Sequence, residues 1–235
     1  MIFNLLTPTI AIIIYYRYIK AGLIQCAAFT AKHSAWWKNV SFEEKKGVYE
    51  LSFIALSHLV FCIIMMKALS ISFYDLGWAL DNPLLILYGT ILGIAEMGFS
   101  MTLCMLAIRL SQCENSWAVL TRAGWIRHHF HTIKLLPRSV ALVIIFLQLS
   151  AEEIFFRGIM LNALFSYSQT IAATASISLF IYMQTFHMPS KITALFPVIG
   201  ALVLGITHTL LYFILPSLLP LIVAHLVFFV SAVLI

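Results

Sequence analysis

Charge is what this chain has least of. Its 14 Lys+Arg and 9 Asp+Glu make up 10% of 235 residues, while 62% are hydrophobic; a soluble domain carries about 25% charged residues. So few charges cannot clothe a water-facing exterior, which excludes an ordinary soluble fold and leaves lipid as the solvent. The formal net charge of +5 is dispersed between apolar segments, and the absence of a basic face interleaved with aromatics excludes a nucleic-acid partner. Cys26, Cys62, Cys104 and Cys113 show no C-x-x-C spacing and three of them sit in apolar stretches. They read as buried apolar residues and not as a metal set or disulfide framework. An H-E-x-x-H helix is missing as well. The first apolar stretch has no basic n-region and no small-x-small cleavage pattern, so it is expected to be retained. Internal repeats and low-complexity tracts are absent, and 1–235 is expected to be a single integral membrane domain.

What the chain has is long apolar runs. Stretches able to cross a hydrocarbon core, which takes about 20 helical residues, cover approximately 4–28, 50–73, 83–110, 139–165, 170–189, 192–215 and 217–235. The expected fold is therefore all-α, a polytopic transmembrane helical bundle of about seven spans. Arg17 and Lys20 lie inside the first, where they must snorkel or mark an early helix end. Lys32, Lys38, Lys45 and Lys46 follow span one, and Arg109, Arg122, Arg127, Lys134 and Arg138 precede span four. The positive-inside rule makes both loops cytoplasmic, with Lys191 on the same side and Asp75 and Asp81 outside. That alternation places the N-terminus outside and the C-terminus inside. Trp117 to His131 suits a helix lying in the interface plane before span four, and equally an ordinary basic loop anchored by tryptophans.

An ionisable side chain deep in a span costs a few kcal/mol even on the lenient scale, so each one needs a reason. Span four holds three within six positions: Glu152, Glu153 and Arg157. Glu153 and Arg157 form an i,i+4 pair in the favourable order and can neutralise one another. Glu152 points about 100° around the helix and is left as the free carboxylate, a candidate general base. Against this stands a structural ion-pair network that locks helices together. His187, His208 and His225 occupy the last three spans, where imidazole can orient a water, donate to an oxyanion or simply bond across helices. Glu96, in the middle of span three, is a second buried carboxylate that either faces the cavity or pairs with a base such as Lys67. A lone histidine such as His58 can be satisfied locally.

Ser150-Ala-Glu-Glu-Ile-Phe-Phe-Arg-Gly158 resembles the E-E-x-x-x-R signature, in its bacterial form E-E-x-x-F-R-G, of the CAAX protease and bacteriocin-processing family of glutamate-type intramembrane endopeptidases. His187 stands in the place of the family's F-x-x-x-H motif, and Ser217 to His225 resembles the S-L-x-x-x-I-x-x-H approach to the last motif. Gly200 and Gly205 resemble the glycine-spaced helix before it. The family-like core spans 137–229. Two positions depart from the pattern: the Phe of the second motif is Met183, and the Asn usually found four residues after the last histidine is Phe229. The resemblance implies that Glu152 activates water, that His187 helps hold it, and that His225 donates to the oxyanion. Glu153 and Arg157 would shape the site. His208, Asn162, Thr207 or a backbone N–H could take over from the missing Asn, and Glu96 is a further possible auxiliary. It implies no metal and no cofactor, although Glu152, His187 and His225 are chemically able to bind zinc.

These readings together predict an intramembrane endopeptidase in a prokaryotic cell membrane. Its partners would be the lipid bilayer and a peptide or protein substrate delivered at the membrane: a peptide precursor, a C-terminal anchor or a tail. Two alternatives stay open. One is a non-catalytic family member acting in bacteriocin immunity or membrane regulation. The other is a small transporter with Glu96 and Glu152 on a proton path, which the absence of an inverted repeat weakens.

Overall fold

Long runs of Leu, Ile, Ala and Phe without water must satisfy their backbone groups internally, so in hydrocarbon they become helices. The computed structural model describes residues 2–78, 82–110, 126–186, 188 and 191–234. Helix α1 comprises Ile2–Ile14, a π turn Tyr15–Ile19 and Lys20–His33; α2 is Phe42–Ala68 and α3 Leu84–Leu110. A shorter α4, Ile126–Leu135, precedes α5, which comprises Arg138–Glu153, a π turn Ile154–Met160 and Leu161–Phe165. Then come α6 Gln169–Thr185, α7 Lys191–Ile214 and α8 Leu218–Leu234. Each of the seven apolar stretches is mostly helical among the described residues. Among the described residues, α1, α2, α3, α5 and α7 are long and apolar enough to cross a membrane. α6 and α8 have 17 residues each, about 26 Å at the helical rise, which is the lower limit for a span.

Arg17 and Lys20 do not end the first helix. α1 continues to His33, with the Lys20 ammonium 5.1 Å above the Tyr16 ring. α2 starts at a capping box, in which the Ser41 hydroxyl accepts from the Glu44 N–H and the Glu44 carboxylate accepts from the Ser41 N–H. The surface turned to lipid is apolar, with Leu56, Val60, Ile63 and Ile64 on α2 and Leu87, Ile91 and Ile94 on α3 all exposed.

α5 is the central helix: 56% of its most apolar stretch is buried inside the protein, against 22% for α1. Its π turn begins directly after Glu153, and the side chains of that turn from Phe155 to Met160 are buried. Neighbouring helices take up the carbonyls around this irregularity. Cys62 of α2 donates to Ala151 O at 3.4 Å and Ser176 of α6 to Phe156 O at 2.8 Å.

α3 presents Gly89, Gly93, Glu96, Met97, Ser100 and Cys104 as one buried stripe. At Gly89 an added Cβ would lie 2.4 Å from Pro220 O, and at Gly93 2.4 Å from Ala224 O. The two glycines form a G-x-x-x-G pair that lets the backbone of α8 touch that of α3, beside His225.

Two sets of contacts sort the helix ends. Lys134 of α4 pairs with Glu44 at 2.7 Å, so the beginnings of α2 and α5 share a side. On the opposite side the segment 72–78 fastens to three helices. Leu218 N–H donates to Gly77 O at 3.0 Å, Asn162 donates to Asp75 O at 3.1 Å, and Tyr212 Oη donates to Leu76 O at 3.4 Å. Gly77 has a φ of 68° and lies so close to the Pro216 carbonyl that no Cβ fits. Hydrogen bonds from the Ser72 hydroxyl and backbone N–H hold the Asp75 carboxyl below its ordinary range. This contribution is present above the unfolded value near pH 3.9 and is lost as pH falls through the lower folded value.

Candidate active site

The centre is built on the junction of regular α-helix and π turn in α5. Glu152 and Glu153 end the regular part and Arg157 lies inside the wider turn, an irregularity that in membranes is tolerated only where protein encloses it. Glu153, Arg157 and His208 are fully buried, and Glu96, His225 and Glu152 are nearly so.

Arg157 pairs with Glu153 as the spacing predicts, Nη1 to Oε1 at 3.3 Å. It does more than neutralise: Nη2 donates to Leu204 O of α7 at 3.0 Å, and the guanidinium stands 4.3 Å above the Phe180 ring of α6. Glu153 is the hub. Its Oε1 also receives His225 Nδ1 at 2.7 Å, and His208 Nδ1 stands 3.1 Å from its Oε2, off the hydrogen-bonding line. On the other side of His208, Nε2 lies 3.3 Å from Glu96, whose carboxylate also accepts from the Thr207 hydroxyl. Glu96 thus pairs with a basic side chain, the second of the two expectations, but that base is His208, with Thr207 beside it, and not Lys67.

Glu152 is held differently. Gln148, one turn earlier, donates Nε2 to its Oε1 at 2.9 Å, and its Oε2 is 4.0 Å from His225 Nε2. That gap exceeds a hydrogen bond and suits a bridging water. Gln148 escaped the sequence reading, although an amide four residues before a buried carboxylate in an apolar span is a usable signal. A small cavity, ≈ 20 Å³ and large enough for a water, reaches His225 between α6, α7 and α8. Gln184, Phe196 and Gly200 line it, with Phe180 and Phe229.

The structure therefore brings Glu152, Glu153, Arg157, His208, His225 and Glu96 together. His187 lies outside the described residues, as do 117–125 of the expected interfacial segment; the remainder of that segment belongs to α4, whose His129 ring packs 4.4 Å from that of Phe229. Asn162 lies apart from this group. Its amide donates to Gly158 O, Asp75 O and Tyr212 Oη, so it secures the 72–78 segment. The Thr207 hydroxyl is engaged with Glu96 and Val203 O. His58 is not satisfied by hydrogen bonds, as its ring nitrogens have no such partner among the described residues; it stacks 5.1 Å from Tyr15.

Residues 134–230 match the sequence model of a family described as type II CAAX prenyl endopeptidase, Rce1-like. No curated protein and no solved structure matches the chain.

Proposed function

We propose that this chain, whose residues 134–230 match the type II CAAX prenyl endopeptidase model, is a glutamate-type intramembrane endopeptidase in which Glu152 activates the attacking water. The family indicates a protease of the CAAX type in general; the assignment of roles is our own. The observation that carries it is the 4.0 Å opening between Glu152 Oε2 and His225 Nε2, beside a cavity that reaches the same histidine.

A water in that opening gives its proton to Glu152 while its oxygen bonds to the substrate's carbonyl carbon. As the C–N bond breaks, Glu152 returns the proton to the leaving nitrogen. His225 rests with its proton on Nδ1, donated to Glu153, and takes up a second proton on Nε2 from the medium as substrate binds, so that Nε2–H meets the developing charge. Glu153 and Arg157 hold that ring, and His187 is assigned to the water. The catalytic core is 137–229 within a single membrane domain, and no metal or cofactor takes part. The substrate is a membrane-associated peptide, precursor, anchor or tail. Short loops and the F-R-G ending favour a prokaryotic inner membrane, with the N-terminus outside and the C-terminus cytoplasmic.

Purified protein in detergent should cleave an internally quenched peptide carrying a C-terminal apolar anchor or a farnesylated CAAX end. Glu152→Gln should abolish cleavage with unchanged thermal unfolding, and strong chelators should leave the rate unaltered. Normal cleavage by Glu152→Gln would refute the mechanism, and loss of activity with a chelator would point to zinc. Phe229 favours one second reading, a non-catalytic immunity or regulatory protein, because it puts a ring where the family pattern has a hydrogen-bond donor. No cleavage of any probe by the unmodified protein would support that reading.

A further inference from the structure

We propose that Glu96 and His208 are positioning residues for this hydrolysis: with Glu153 they form a buried relay from α3 that fixes which nitrogen of His225 faces Glu152. The hydrolytic part rests on the roles proposed above for Glu152 and His225; the structural part does not.

The groups alternate between acid and imidazole along one path. Glu96 meets His208 Nε2 at 3.3 Å, and His208 Nδ1 meets Glu153 Oε2 at 3.1 Å. Glu153 Oε1 meets His225 Nδ1 at 2.7 Å, and His225 Nε2 ends the path 4.0 Å from Glu152. Each step changes helix, from α3 to α7, α5 and α8. A carboxylate only accepts hydrogen bonds, so the short contact to Glu153 assigns the Nδ1 proton of His225 and turns its other nitrogen to the reaction.

That assignment holds only while the Glu153 carboxylate keeps its rotation. Arg157 and His225 share Oε1, so neither restrains Oε2, which His208 faces. His208 in turn has a carboxylate at each nitrogen. Serving both requires one proton more than a neutral imidazole between two ionised acids. In the imidazolium form the set Glu96, His208, Glu153 and Arg157 has zero net charge, the condition under which such groups survive burial. Glu96 supplies the second negative charge, and its placement follows from Gly93, which brings α3 against α8 three residues earlier. The titratable and charged groups around His208 are Glu96 from α3, Glu153 and Arg157 from α5, and His225 from α8, whose ring centroid is 6.1 Å away.

An interhelical ion pair with no further role would hold α3 to α7 and leave His225 indifferent. The two cases separate in the nitrogen-15 spectrum of histidine-labelled protein in bilayers, with His225 assigned by subtraction of the His225→Gln spectrum. The relay requires Nδ1-protonated His225 in the unmodified protein and a mixture of tautomers in His208→Gln. The isosteric Glu96→Gln should shift the same signal if His208→Gln does not fold. An unchanged His225 signal in the folded variants would overturn the relay. With the quenched anchored peptide, both variants should lower kcat by about 10- to 100-fold, as loss of an orienting outer partner does elsewhere, with KM nearly constant and the acid limb of the pH–rate profile moved. Unchanged kcat and pH profile would overturn the positioning role. If the unmodified protein cleaves no probe, the proposed hydrolysis fails, and the spectrum still decides the relay.

Discussion

Phe229 occupies the position, four residues after His225, where a donor to the oxyanion is expected. Its side chain is buried between the rings of His129 and His225, with centroids at 4.4 and 6.2 Å. Phe229→Asn should therefore act in opposite directions on two measurements. Loss of the buried ring should lower unfolding stability by about 3 kcal/mol, whereas the amide added beside His225 should raise kcat per folded molecule by about 10-fold or more. A slower folded variant would mean that another group already supplies the donor. Arg157 offers the contrasting case. Arg157→Met removes the guanidinium from a fully buried Glu153, and a loss of about 3–5 kcal/mol is expected in reversible detergent unfolding. A loss below about 1 kcal/mol, the level of an exposed pair, would show that His208 and His225 neutralise Glu153 unaided.

The partners of these residues differ in how far the sequence discloses them. Glu153 and Arg157 share a helix, so their pairing follows from spacing alone, and the apolar run around them marks their burial. The Glu96–His208 contact joins residues on α3 and α7. No period within either span encodes it, because it depends on how closely two helices approach. Asn162 resembled an auxiliary of the site for the same reason: its helix was legible, but the direction of its amide is fixed by the 72–78 segment.

At the scale of elements, the α3–α8 interface decides where His225 stands. Gly89 and Gly93 could have been recognised as a G-x-x-x-G pair, but only packing shows that they receive α8. Gly93→Ala forces a methyl group to within 2.4 Å of Ala224 O, next to His225, so the α8 backbone must move away. A shift near 1 Å should reduce cleavage by about 100-fold. Gly98→Ala on the same helix is the control, since nothing lies within 4 Å of its added Cβ; it should retain activity and gain up to about 1 kcal/mol from helix propensity. Equal activity in the two variants would separate the glycine contact from the placement of His225.

Across the whole molecule, basic residues and helix ends divide into two sides. One side carries Lys32, Lys38, Lys45, Lys46 and Lys134, and Glu44 joins it to α4 through Lys134. The other carries Asp75 and the junction of Gly77 with Leu218. Transfer of the lysine-rich side across a bilayer is opposed by the positive-inside rule, so this side should be cytoplasmic, and the beginnings of α6 and α8 should lie outside with Asp75. The cavity at His225 then lies toward the cytoplasmic ends of α6, α7 and α8, where Gln184 and Phe196 line it. Single cysteines test the orientation in a background with Cys26 and Cys113 replaced by serine. Asn39→Cys and Tyr74→Cys are suitable because both positions are exposed, Tyr74 by 91%. A membrane-impermeant maleimide added to intact cells should label Cys at 74 and leave Cys at 39 unlabelled until the membrane is permeabilised. The reverse pattern would invert the molecule and move the entrance of the cavity to the outer face, where a substrate would have to be exported before it could be cut.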